Sequence, residues 1–176
     1  MSLFGASVQS ERIDGRLEIH LAEQVAHIEA EVFGTLGQLK HARVCSLGSV
    51  TFANVNKDMH QRHWFLGTTA PGVRPSAEHG NSVEGYLLLT DQQDGSLYLD
   101  DLAVLPRVRR RGLARILVKD ALEYAGGRNV FTWVRTGDEA ENFYAALGFV
   151  AQEESDRSSA CFPGETVKKW NYNPGG

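Results

Sequence analysis

The spacing of apolar residues changes several times along the 176-residue chain, and each change predicts an element. Residues 1–15 are polar, contain glycine and have no period, which predicts a loose arm ahead of one domain over 16–176. Leu17, Ile19 and Leu21 then alternate with Arg16, Glu18 and His20, the signature of a strand. From Leu21 the apolar positions become Val25, Ile28, Val32, Phe33, Leu36 and Leu39, which is helical spacing. Glu23, Glu29, Glu31 and Lys40 fall mostly off that stripe, and Gly34 and Gly37 weaken its second half. Residues 41–63 show no clear period beyond a short strand at Val50–Val55. Trp64–Thr69 and Val83–Thr90 read as strands around a polar loop, Pro71 to Ser82, with Asp91–Gly95 as a hairpin turn to Ser96.

The chain is organised around Leu97–Tyr124. Leu97, Leu99, Leu102 and Val104 predict a strand around the two acids Asp100 and Asp101, and Pro106 ends it for want of an N–H. An arginine-rich turn follows. Leu113, Ile116, Leu117, Ala121 and Tyr124 then recur at helical spacing until Gly126-Gly127. The turn therefore sits at a helix N-terminus, where unpaired N–H groups and the helix dipole favour an anion. Gly112 and Ala114 carry almost no side chain, so a large phosphate-bearing ligand can approach the backbone. Asn129–Arg135 is the next strand, giving a right-handed strand–helix–strand crossover with parallel strands. Asp138-x-x-Glu141 resembles a capping box opening a short helix that ends at Gly148. Phe149–Glu153 and Thr166–Tyr172 close the pattern as two strands.

Composition narrows the function classes. The length suits one well-cored domain, and a net charge of −4 gives no global signal for nucleic acid. Basic character is local, from Arg107 to Arg115, without interleaved aromatics, so no nucleic-acid partner is expected. No apolar run is long enough to span a membrane, and the N-terminus lacks the charged start and apolar core of a signal peptide. Cys45 and Cys161 show no metal-ligand spacing and read as free thiols in a reducing cytoplasm. His60-x-x-His63 with His79 reads as solvated imidazoles, so no metal site is expected.

Val104-x-Pro106-x-x-Arg109-x-x-Gly112-x-Ala114 resembles the acetyl-CoA signature of the GNAT N-acetyltransferase superfamily, R/Q-x-x-G-x-G/A. Ala140-x-x-x-Tyr144-x-x-x-Gly148-Phe149 is similar to the family's second landmark, although Gly137 stands where an Asn is usual. The resemblance covers about residues 64–150. It implies a mixed α/β fold of the GNAT acyl-CoA N-acyltransferase type: a twisted, mostly antiparallel sheet, one splayed parallel pair, helices on both faces. It also implies acetyl-CoA as co-substrate. Leu102, Ala103 and Val104 would line its pantetheine arm and supply a backbone N–H to the oxyanion. Arg109, Arg110, Arg111, Gly112, Leu113 and Ala114 would hold its pyrophosphate, with Asn142, Thr136 or Asp138 as the candidates to replace the missing Asn.

Chemistry supports roles for three more residues. Tyr144 matches the family's general acid, and a phenol with an ordinary pKa of about 10 can protonate a departing thiolate. An ammonium acceptor must lose a proton before it attacks, which a carboxylate beside it can take. Asp100 and Asp101 are candidates, similar to paired acids of polyamine acetyltransferases. Being adjacent on a strand they face opposite ways, and one of them serves the site. The function expected is acetyl transfer to a small-molecule primary amine. Acylation of a protein N-terminus or lysine, and a non-catalytic acyl-CoA sensor, are the alternatives. A homodimer is left open.

Overall fold

The computed structural model describes residues 8–34, 62–70, 72, 75, 82–152, 157–158 and 166–174. Leu36, Leu39, the strand expected at Val50–Val55, both cysteines, His60 and His79 lie outside them. The chain falls into two compact units, one of Met1–Leu89 with Asp101–Ala121, the other of Thr90–Asp100 with Leu122–Gly176.

The first unit begins with β1 (Gln9–Asp14), antiparallel to β2 (Arg62–Thr68) from Gln9↔Thr68 to Asp14↔His63. Residues 9–14 are thus a strand and not part of a loose arm. Its sequence QSERID has one apolar residue, so the ladder comes from the buried partner strand and leaves no periodic trace. The strand expected at Arg16–Leu21 is also corrected, because the chain enters helix α1 (Ile19–Phe33) there. Leu17 and Leu21 are four residues apart, a spacing that serves a helix as well as an alternation, and both are buried. Leu21, Ala22, Val25, Ala26 and Ile28 form the buried stripe, and Gly34 ends the helix with φ 57° and an N–H bonded to the Ala30 carbonyl.

β3 (Gly85–Asp91) turns into β4 (Leu97–Val104) through bonds from Gly95 N–H to Gln92 O and from Gln92 N–H to Ser96 O. A short 3-10 turn (Pro106–Val108) then leads to α2 (Leu113–Ala125). The strand order is β1-β2-β3-β4 in the first unit, and α1 and α2 lie on opposite faces of it. Neighbouring strand residues point to opposite sides. A Cβ on Gly85 would meet Leu113 of α2 at 3.0 Å, whereas the next residue, Tyr86, hydrogen-bonds Glu29 of α1. Gly67 lies under α2 in the same way, 2.5 Å from Leu113 to an added Cβ. These two glycines let the helix come down onto the strands.

In the second unit β4 is followed across the sheet by β5 (Val130–Arg135), β8 (Thr166–Tyr172) and β6 (Val150–Ala151), with β7 (Arg157–Ser158) also on β8. β4 pairs parallel with β5 (Val130–Arg135) through Leu97↔Val130 and Tyr98↔Phe131, and both strands continue past that short ladder. The buried Thr132 hydroxyl donates to the Leu99 carbonyl at 3.0 Å. α3 (Ala140–Ala145) follows, then β6 (Val150–Ala151), β7 (Arg157–Ser158) and β8 (Thr166–Tyr172), which is antiparallel to β5 over its length. The first closing strand is shorter than expected, and the polar connection after it holds the extra strand β7. The expected mixed α/β sheet with one parallel pair is observed.

Candidate active site

The basic turn is built from the end of β4 outward. Leu105 N–H donates to the Glu84 carbonyl, Val108 N–H returns to Leu105 O, and Arg109 N–H to Pro106 O. The backbone then turns left-handed at Arg110 (φ 64°) and again at Gly112 (φ 87°), whose carbonyl accepts the Ile116 N–H and starts α2. Arg110 is the one left-handed non-glycine among the described residues, a conformation that costs an L-residue energy and is kept where surroundings enforce it. Left-handed residues within a turn bring successive N–H groups toward one point, where an anion can sit. Residues 109–112 are exposed, and a Cβ on Gly112 would meet nothing within 4 Å, so the approach to these amides is open.

The arginines divide by their contacts. Arg107 lies 3.7 Å from Glu84, and Arg109 Nε donates to the Val104 carbonyl at 3.4 Å, so both help hold the turn. Arg110, Arg111 and Arg115 have exposed side chains. Leu113 is fully buried against Gly67 and Gly85, which leaves only its backbone for a ligand and fixes where the helix begins. Glu84 ties the turn to the strands: it accepts the Thr69 N–H at 2.6 Å, the Thr69 hydroxyl at 2.7 Å and the Thr68 hydroxyl at 3.3 Å. Partial burial pushes its carboxyl up, but these donors and Arg107 together hold it below the usual range. The sequence reading did not single it out.

Of the paired acids, Asp101 is in the same unit as the turn, on the face of α1. Its Oδ2 accepts from the Tyr86 hydroxyl at 3.0 Å, and that hydroxyl is also 2.9 Å from Glu29 Oε1. Asp100 is in the second unit, half-buried, and as the preceding strand residue it points the other way. Burial first, then the charges of Asp101 and Glu29, push the Tyr86 phenol well above its usual range. Glu29 corrects the sequence reading: it belongs to the buried stripe of α1, at 2% exposure. It follows Val25 by four residues, and that spacing was the available signal.

Tyr144 and Asn142 belong to the second unit, on α3. Tyr144 is buried, its ring edge-on to Phe143 at 5.3 Å and to Phe149 at 5.2 Å, and its carbonyl accepts from Leu147 and Phe149 N–H. Asn142 is exposed. The expected capping box is present in shifted form: Asp138 Oδ1 accepts the Ala140 N–H, while Glu141 Oε2 reaches back to Gly137 N–H. The Ala140 N–H bond, reinforced by Arg135 against partial burial, holds the Asp138 carboxyl below its usual range. Gly137 has φ 81°, a left-handed conformation that Gly and Asn both tolerate.

His63 is not solvated: it is buried, with Nδ1 2.8 Å from Asp14 Oδ1. Among the described residues no group of three or more His, Cys, Asp or Glu is placed to hold a metal ion. No described helix is long and apolar enough to cross a membrane.

A 75-residue stretch is 37% identical to the mycothiol acetyltransferase of Mycobacterium marinum, covering 43% of this chain and 23% of that protein. The chain thus spans about a quarter of the length of the curated relatives it matches. In structure it resembles the ribosomal-protein-S18-alanine N-acetyltransferase of Escherichia coli, with TM-score 0.63, 16% identity and 94% of each chain covered. It also resembles a Bacillus anthracis structure assigned as a streptothricin acetyltransferase, in complex with acetyl coenzyme A. That match has TM-score 0.52 and 16% identity, over 67% of this chain and 66% of the other. The family model described as the acetyltransferase (GNAT) family matches residues 42–149, more than half of the sequence, and with the basic turn at the start of α2 it identifies the chain as a member of that family.

Proposed function

We infer that this protein transfers an acetyl group from acetyl-CoA to a primary amine by direct attack in a ternary complex. The observation that carries the reading is the start of α2, an exposed pair of left-handed residues opening onto a helix N-terminus, with no side chain in the way at Gly112. In this reading the backbone amides from Arg110 to Ala114 hold the CoA pyrophosphate, and exposed Arg110 and Arg111 add a screened attraction. Leu102 to Val104 serve the pantetheine arm through their backbone, and one of their N–H groups stabilises the oxyanion. Asn142 adds a polar contact from α3. The acetyl-CoA in the Bacillus anthracis structure supports the choice of co-substrate.

Of the two acids Asp101 is assigned as the base, because its carboxylate is held by Tyr86 on the face of α1. Asp101 takes one proton from the ammonium, and the freed amine attacks the thioester carbonyl. The N–C bond forms, the C–S bond breaks, and Tyr144 donates its proton to the thiolate. The second amine proton returns to the phenol through solvent, and Asp101 releases the first. The net products are an amide, CoA thiol and one proton.

The test is a turnover screen with acetyl-CoA over polyamines, aminoglycosides, amino acids and peptides, reading released thiol. At least one amine should raise thiol release above hydrolysis. Tight acetyl-CoA binding with no acceleration by any amine class would favour an acyl-CoA sensor instead.

A further inference from the structure

Resting on the reading of the start of α2 as the cofactor site, we propose that Glu84 is a positioning residue for acetyl-CoA: by holding Arg107 it keeps the turn in the shape that presents its amides. The two oxygens of its carboxylate have different partners. Oε2 accepts the Thr69 N–H at 2.6 Å, the Thr69 hydroxyl at 2.7 Å and the Thr68 hydroxyl at 3.3 Å. Both threonines are buried, and the Thr68 oxygen in turn accepts the Ala70 N–H at 3.1 Å. Three donors on one oxygen fix the rotation of the carboxylate, and Oε1 faces the Arg107 guanidinium at 3.7 Å. Partial burial raises the Glu84 pKa, but the threonine donors and Arg107 outweigh it and hold it below the usual range. The group is therefore an anion at neutral pH.

Arg107 is the middle residue of the 3-10 turn that leads into the anion site. Main-chain bonds secure the entry to that turn, from Glu84 N–H to Gly67 O at 2.8 Å and from Leu105 N–H to Glu84 O at 2.9 Å. The same strand residue then reaches two positions further along the turn through its side chain, to Arg107. Beyond it come the Arg109 N–H bond to Pro106 O at 3.3 Å and the left-handed residues Arg110 and Gly112. A left-handed arginine is unfavourable by itself, so the residues before it have to hold it there. With Arg107 released the turn samples other shapes, and affinity falls with the fraction of molecules still competent to bind. Charge alone predicts the opposite sign. An anion beside the site repels the CoA phosphates, so removing it would tighten binding if Glu84 acted only through its field.

Calorimetric titration of acetyl-CoA at neutral pH into the full chain, as wild type, Glu84→Gln, Arg107→Gln and the double variant, tests the proposal. Glutamine offers the Thr69 donors a neutral oxygen in place of a carboxylate and removes the charge that holds Arg107. Glu84→Gln should weaken binding about two- to fivefold, a small factor because Arg107 is half-exposed. Arg107→Gln should weaken it as well, and adding Glu84→Gln to that variant should weaken it no further. Unchanged or tighter binding by folded Glu84→Gln, even with lowered stability, would overturn the proposal, as would a double variant that loses both factors in full. Where Glu84→Gln does not fold, amide NMR of ligand-free Arg107→Gln decides: the Arg110 to Gly112 signals should broaden by exchange, and signals as sharp as in the wild type would overturn the proposal. No binding by the wild type is a different failure, which removes the cofactor site and the proposal with it.

Discussion

Two side chains carry most of the proposed chemistry, and each has its own measurable consequence. Tyr144→Phe removes one hydroxyl and keeps a ring that packs between Phe143 and Phe149. Folding and KM for acetyl-CoA should change little, while kcat falls by roughly 10²–10⁴, the range for a positioned general acid. Steady-state kinetics on the pair decides this, and an unchanged kcat with chemistry rate-limiting reduces Tyr144 to a packing residue. Asp101→Asn should lower kcat by a similar factor. The sequence singled out Tyr144 by its position in the motif, and the structure buries its ring beside Phe143 and Phe149. Glu29 was not singled out, since a charged residue on a helix is ordinarily solvated, and only its four-residue spacing from Val25 placed it inside. His63 was misread for a different reason: its partner Asp14 lies on a strand that the sequence did not reveal.

Elements explain where the sequence was clear and where it was silent. The turn and α2 were legible because every signal agreed: a proline to end β4, glycine at the left-handed helix start, and an apolar stripe at helical spacing. β1 was illegible because an edge strand with one apolar residue draws its stability from its partner. The packing of α2 on Gly67 and Gly85 makes a stability prediction. Gly85→Ala would bring a methyl to about 3.0 Å from the Ala103 carbonyl, Leu113 and Val104 together, one of which is backbone. It should cost about 1–3 kcal/mol, the range for overpacking, read from the midpoint of urea unfolding. Glu84 makes a pH prediction. Its folded pKa is depressed below the ordinary 4.5, so its contribution is fully present above that value and is lost as pH falls through the folded value. Asp138 acts with the same sign below its ordinary 3.8. Thermal midpoints should therefore drop on acidification below about pH 4.5, and Glu84→Gln should flatten part of that drop. The same variant should cost about 1–3 kcal/mol at neutral pH by leaving the Thr69 donors without their carboxylate.

At the scale of the whole chain, the GNAT family membership and the mixed sheet with its parallel pair set the chemistry that the turn can support. The basic charge is concentrated at that turn in a protein that is acidic overall, and in the proposed site this attracts an anionic cofactor to one place. Arg109→Ala should therefore weaken acetyl-CoA binding only modestly, because its side chain bonds the Val104 carbonyl and the proposed anion contact is made by backbone amides. Gly112 is different. Any side chain there is strained at φ 87°, and a glutamate would also set a negative charge against the pyrophosphate. Calorimetric titration of acetyl-CoA into the wild type and into folded Gly112→Glu is the most direct measurement. The wild type should bind saturably with one molecule per chain, and the variant should show no measurable binding. Equal affinity in the two proteins, or no binding by the wild type, would contradict the assignment of this turn as the cofactor site.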